Sequence, residues 1–268
     1  MRWLKIGSVI FVAVAITALG IDAADTLSGS QSTLLAQLIS VQKADVCPEG
    51  MVEVPMALSF SCVDVYEASA SVQCPQSSPT NEFQTKENID APTCSAVSVE
   101  NTEPWRFLSR EQAVTACMRA GKRLPKSEEW YTAAVGTLDT AESCNTDTSS
   151  IVRTGTYKKC VSAVGAHDTV GNAWEWVSDD VISGTYQGRQ VPSEGYISQV
   201  DAGGFATVTN ISESELFYKD YFWSAADGVF AILRGGFYGS KFDAGIYAVH
   251  ARTLPTAAGT AIGFRCVK

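Results

Sequence analysis

The sequence is poor in histidine, with only His167 and His250 in 268 residues. A zinc or iron centre built on several imidazoles is thereby excluded. It is also poor in positive charge. Twenty Lys and Arg stand against 29 Asp and Glu, for a formal net charge of −9. Nucleic acid, which needs a basic patch, is not an expected partner, and neither is an anionic membrane surface. The cysteines lack the paired C-x-x-C spacing of a zinc site, and there is no internal repeat. Residues 6–21 are uncharged and mostly apolar. As a helix they would reach about 24 Å, short of a hydrocarbon core about 30 Å thick.

What is present reads as an exported globular chain. Hydrophobic residues make up 46%, and the length suits one substantial core or two small ones. Arg2 and Lys5 precede the apolar run, and Asp22 and Asp25 follow it. This polarity puts the rest of the chain outside the cytoplasm. Residues 1–23 are thus a signal peptide or an N-terminal membrane anchor. The chain meets a membrane through residues 6–21 if they are uncleaved. Residues 24–45 read as a linker or stalk, with Leu34, Leu35, Leu38 and Ile39 at helical spacing. Residues 46–268 form the domain. Eight cysteines behind an export signal predict disulfides rather than free thiols.

Within the domain, alternation from Cys47 and again over residues 62–67 predicts two strands, with Asp64 and Glu67 as structural acceptors. Residues 70–104 read as a loop. Ser109-Arg-Glu-Gln112 is a capping box opening a helix to about Ala120. A second helix begins near Pro125, with Ser127 as its cap and Trp130 and Ala134 facing inward. Residues 136–167 are loop-like. Residues 181–226 read as a long loop with Tyr186, Tyr196, Tyr218, Tyr221, Phe222 and Trp223, of the kind that often carries function.

The stretch Asp168-Thr-Val-Gly-Asn-Ala-Trp-Glu-Trp176 organises the rest. Taken as extended, it points Asn172, Trp174 and Trp176 one way and Gly171, Ala173 and Glu175 the other. The first face wants a core. The second offers small residues and a carboxylate, with Asp168 upstream, and such oxygen donors suit calcium.

The same stretch, with Gly121-Lys-Arg-Leu-Pro-Lys-Ser-Glu-Glu-Trp130, Leu233-Arg-Gly-Gly236 and Gly263-Phe-Arg-Cys266, resembles the formylglycine-generating, sulfatase-modifying-factor family. The resemblance implies an α+β fold, a variant of the C-type lectin fold, with twisted antiparallel strands, two helices and long loops. It implies a Cys117–Cys266 bridge. Cys144–Cys160 is expected as a local bridge, and Cys47–Cys62 and Cys74–Cys94 follow by proximity, the last two open to exchange. It also implies a calcium site from Asp168, the Gly171 and Ala173 carbonyls and Glu175.

The family's oxidation of a substrate cysteine uses copper held by two thiolates after the R-G-G. Here Ser240 and Gly245 stand at those positions, and Phe237 stands where the family has a serine. A hydroxyl and a glycine cannot hold copper(I), so no copper is expected. Iron-dependent relatives use histidines of a further domain that is absent here, so no iron is expected either. The resulting expectation is an extracytoplasmic binding or surface-display module for an unknown ligand or surface partner. Its ligand surface would be built from residues 181–226 and 237–253, with Trp174, Tyr238, Asp243, Tyr247, His250 and Arg252. The alternatives are an oxidoreductase or maturation factor of the family, and a structural head on an anchored stalk.

Overall fold

The computed structural model describes residues 47–55 and 57–268. The export element (1–23) and stalk (24–45) lie outside the described residues. Residues from Cys47 to Lys268 make one unit.

Strands β1 (Met51–Glu53) and β2 (Cys62–Asp64) pair antiparallel. Strand β3 (Ala68–Ala70) pairs antiparallel with β4 (Ala96–Ser98). Between β3 and β4 lies helix α1 (Glu82–Asp90), in the segment expected to be loop. Among the described residues there are therefore three α-helices rather than the two expected. Helix α1 is capped by the Asn81 side chain, which accepts the Gln84 amide. It buries Thr85 and Asn88 instead of an apolar stripe, so its sequence shows no helical periodicity.

Helix α2 (Arg110–Arg119) opens on the expected capping box. The Ser109 hydroxyl accepts the Gln112 amide, and the Gln112 side chain accepts the Ser109 amide. Helix α3 (Ser127–Ala134) differs from expectation at its start. Ser127 is its first residue and not its cap, and its amide donates to Asp179 Oδ2 at 2.5 Å. A carboxylate from the sheet thus meets the positive end of the helix.

That carboxylate belongs to β5 (Trp174–Ile182), which carries the fold. Its even-numbered side chains face α2. Trp174 and Trp176 pack there with Ala113, Ala116, Cys117 and Leu233, the Trp176 indole donates to the Leu108 carbonyl, and Asp180 pairs with Arg110. Its odd-numbered side chains face α3. Val177 and Val181 pack with Trp130, Ala134 and Ile232, and Glu175 accepts the Trp130 indole N–H. One strand therefore serves two cores, as period-two alternation requires when both faces are covered. Truncating a fully buried indole such as Trp176 or Trp130 would cost about 3–5 kcal/mol.

The remaining strands are β6 (Thr185–Tyr186), β7 (Arg189–Gln190), β8 (Gly195–Val200), β9 (Ala206–Asn210), β10 (Tyr221–Ser224), β11 (Val229–Arg234), β12 (Val249–Thr253) and β13 (Ile262–Phe264). The large sheet has the order β7-β6-β5-β11-β12-β10-β8-β9, with β13 parallel to the start of β5. Residues 181–226 are thus a continuation of the sheet and not an open loop. Four disulfides close the unit: Cys47–Cys62, Cys74–Cys94, Cys117–Cys266 and Cys144–Cys160. These are the expected pairs, and they belong to an oxidising compartment. Cys117–Cys266 spans 149 residues, for which loop closure predicts a stabilisation of about 4–5 kcal/mol. No described helix is long and apolar enough to cross a membrane.

Candidate functional site

The approach to β5 is not extended. Asp168, Gly171 and Asn172 have φ of 57°, 74° and 55°, so the chain coils before the strand begins at Trp174. The expected alternation holds only from Trp174 onward. Glycine is needed at 171 because a Cβ there would overlap the Asn145 carbonyl. What comes close to the backbone at this small residue is another backbone segment.

Asn172 is the hub of the coil. Its Nδ2 donates to Glu67 Oε2 at 2.5 Å, and its Oδ1 accepts from Asn145 Nδ2 at 2.9 Å and from the Val152 amide at 3.0 Å. Glu67 Oε1 accepts the Ala173 amide at 3.1 Å. Asp168 Oδ2 accepts the Gly155 amide at 2.6 Å. Glu175 receives Arg265 at both oxygens, each at 2.6 Å, and the Trp130 indole at 2.6 Å. Three buried carboxylates thus surround one buried guanidinium. Burial, then the charges of Asp168 and Glu175, raises the Glu67 carboxyl well above its usual range. Burial pushes Asp168 up to about 6, opposed by the Gly155 amide and Arg265.

Downstream, Arg234 is fully buried against the Trp130 ring at 5.1 Å. Its guanidinium donates to the carbonyls of Gly204, Ile246, Tyr247 and Ala248. Gly235 and Gly236 follow with φ near 90°, and a Cβ on Gly235 would stand 2.6 Å from the Thr169 carbonyl. The Tyr238 amide then donates to the Asn172 carbonyl at 3.0 Å. The W-E-W, R-G-G and G-F-R-C blocks therefore meet in space: Glu175 on Arg265, Arg234 on Trp130, Gly171 under Gly235.

Residues 78–268 match a family model described as a sulfatase-modifying factor enzyme 1-like domain. The chain belongs to this family. No curated protein matches it. Similar solved structures include the Major Tropism Determinant P3c variant, at 17% identity and a TM-score of 0.48, and the U1 variant, at 17% and 0.47. Each match covers 83% of this chain and 53% of the other, so the chain spans about half the length of those structures.

Ser240 and Gly245, the positions expected to match the family's copper thiolates, are both packed into the fold. The Ser240 hydroxyl accepts the Phe237 amide at 3.0 Å at the start of a short 3-10 turn, Lys241–Asp243. Gly245 is packed against acids, and a Cβ there would overlap Asp139 Oδ2 and both carboxylate oxygens of Asp220. All eight cysteines are disulfide-bonded.

The family's calcium donors fare differently. As folded, the set does not fit calcium through Glu175, because the Arg265 guanidinium lies against both of its oxygens and supplies the positive charge that an ion would bring. Among the described residues no group of three His, Cys, Asp or Glu side chains is arranged to hold a metal ion.

The expected ligand surface divides in two. His250 lies 5.8 Å from Trp174 and 5.6 Å from Trp223. Tyr221 lies 4.8 Å from Trp223 and 5.1 Å from Tyr196. Arg252 pairs with Glu194 at 2.6 Å. Tyr238 packs against Phe237, which lies on the same core face as Trp174. Tyr247 belongs elsewhere, with Tyr131, Phe217 and Tyr218. His250 Nδ1 bonds the Thr253 hydroxyl at 2.7 Å, and burial, then Arg252, lowers it to about 4. It is a neutral ring held in place. Glu67, Arg265, Asp139 and Asp220 were not among the expected site residues, and for the two aspartates no local signal exists, since they lie far apart in sequence.

Proposed function

We propose that this domain is a binding module of the sulfatase-modifying-factor fold, working outside the cytoplasm, and not a formylglycine-generating enzyme. The observation that carries this reading is the packing at the two thiolate positions. Ser240 is spent on a turn and Gly245 abuts two carboxylates, which supports a fold that does without the thiolate pair. The partly exposed tract Tyr196–Tyr221–Trp223–His250, backed by the buried Trp174, is the ligand face. Aromatic rings flanked by polar groups suit a ligand with a flat apolar face and hydroxyls, such as a sugar ring. The domain is either secreted or held at a membrane by residues 6–21.

The test is binding of the full chain to arrayed oligosaccharides and peptides. Trp223→Ala and Tyr221→Ala should each weaken binding at least about tenfold, as loss of an aromatic anchor does, while the melting temperature stays close to wild type. Binding untouched by both variants would move the ligand face elsewhere. Conversion of a cysteine-bearing peptide to formylglycine by the copper-loaded chain, read as a mass change, would overturn the reading altogether.

A further inference from the structure

Gly245 sits between two carboxylates that have no counter-ion of their own. Asp220 is fully buried, and its Oδ2 accepts the Tyr247 amide at 2.8 Å. Its Oδ1 has no hydrogen-bond partner, and neither does Asp139 Oδ2. Both unpartnered oxygens press on the same face of Gly245, within hydrogen-bonding reach of each other. Neither is open to solvent. Asp147 and Lys241 line the cavity that Asp139 borders, and three further groups lie near the pair. Arg234 of β11 acts on Asp220 from a distance, and its own donors go to carbonyls. Tyr247 gives only its amide, and the Tyr131 hydroxyl of α3 bonds Tyr247.

Two ionised carboxylates cannot remain in contact in a dry site. A resident cation would need further oxygen donors, and no third acid joins the pair to make a metal-holding group among the described residues. What fits between the two oxygens is a proton.

We propose that Asp139 and Asp220 share one proton, and that this acid–carboxylate pair is a pH-sensitive clasp joining the loop after α3 to the approach to β10, against the Gly245 turn. The clasp borders a cavity of about 300 Å³ lined by Asp139, Thr146, Asp147, Tyr218, Lys241 and Phe242. Loss of the proton leaves two contacting charges, which separate and open that cavity. Burial pushes the Asp139 carboxyl up to about 7 and raises Asp220 well above its usual range, with the Asp139 charge adding to it. Both folded-state values lie above the unfolded value of 3.8. The clasp therefore stabilises fully below about pH 4 and is lost as pH rises through neutrality.

The experiment is the melting temperature of the full chain from pH 5 to pH 9, with and without EDTA, for wild type, Asp139→Asn and Asp220→Asn. An asparagine amide replaces the shared proton with a permanent donor. The wild type should lose roughly 5 °C more than Asp139→Asn over that range, and the variant should equal or exceed it at pH 9. Parallel profiles would overturn the proposal. So would an EDTA-induced drop in wild type that is absent in both variants, since a metal ion would then fill the pair. Should the variants fail to fold, carboxyl ¹³C NMR of aspartate-labelled wild type decides. A near-neutral titration in addition to that of Asp168, which ionises near 6, supports the clasp, and ionisation of every aspartate except Asp168 by pH 5 refutes it.

Discussion

Two buried acid clusters lie one on each side of the R-G-G turn, and they are neutralised in opposite ways. Glu67, Asp168 and Glu175 gather round Arg265, and each carboxylate also receives an amide or indole donor. Asp139 and Asp220 face each other with only the Tyr247 amide between them and isolation. The first cluster has a guanidinium and several N–H donors to set against its charge, although burial still raises Glu67 and Asp168, while the second has only the shared proton. The second should therefore respond more steeply to solution conditions than the first.

The largest effect should come from removing the guanidinium. Arg265→Ala leaves three buried carboxylates without their cation and should cost about 3–5 kcal/mol, read as a fall in melting temperature of roughly 10 °C or more. A loss below about 1 kcal/mol would mean that another cation takes its place. Gly245→Ala comes next. The methyl group enters the space of the acid pair, which should cost about 1–3 kcal/mol as overpacking. Combining it with Asp139→Asn should leave most of that cost in place, since the asparagine amide occupies the same volume. A smaller change is the pH dependence that remains once the clasp is removed. Glu67 and Asp168 are also raised, so Asp139→Asn should keep a shallow fall in stability as pH rises through about 6, where Asp168 ionises. The smallest is calcium. With Glu175 held by Arg265, millimolar calcium should leave the wild-type melting temperature unchanged. A clear rise would show that Glu175 releases Arg265 for an ion, and would erase the contrast between the two clusters.

Much of the first cluster was legible in the sequence. The W-E-W alternation put Glu175 on the face opposite the indoles, and it lies there. Its partner, Arg265, is 90 residues away, and no local pattern says that a guanidinium and not an ion completes it. The capping box at Ser109 and the four disulfides were legible because cap chemistry and cysteine spacing are local or family-borne. Helix α1 was not, because it buries Thr85 and Asn88 and leaves Phe83 in solvent. The strands of residues 181–226 were hidden for a related reason. They are short, several lie near the sheet's edge, and their exposed faces carry polar residues that read as loop. The Asp139–Asp220 pair is made by topology alone, since it takes the loop after α3 and the approach to β10 to bring the two together.

The extreme C-terminal stretch of the domain does more than close a disulfide. The Lys268 carbonyl accepts the amides of Ser61 and Cys62, Val267 exchanges amide bonds with Arg123, and the Cys266 amide donates to Asp64. Residues 265–268 follow every other element of the domain in synthesis, yet they fasten β2, the start of α3 and β5 to one another. The domain thus cannot close until residues 265–268 have joined it, so its folding depends on contacts between its first strands and its last.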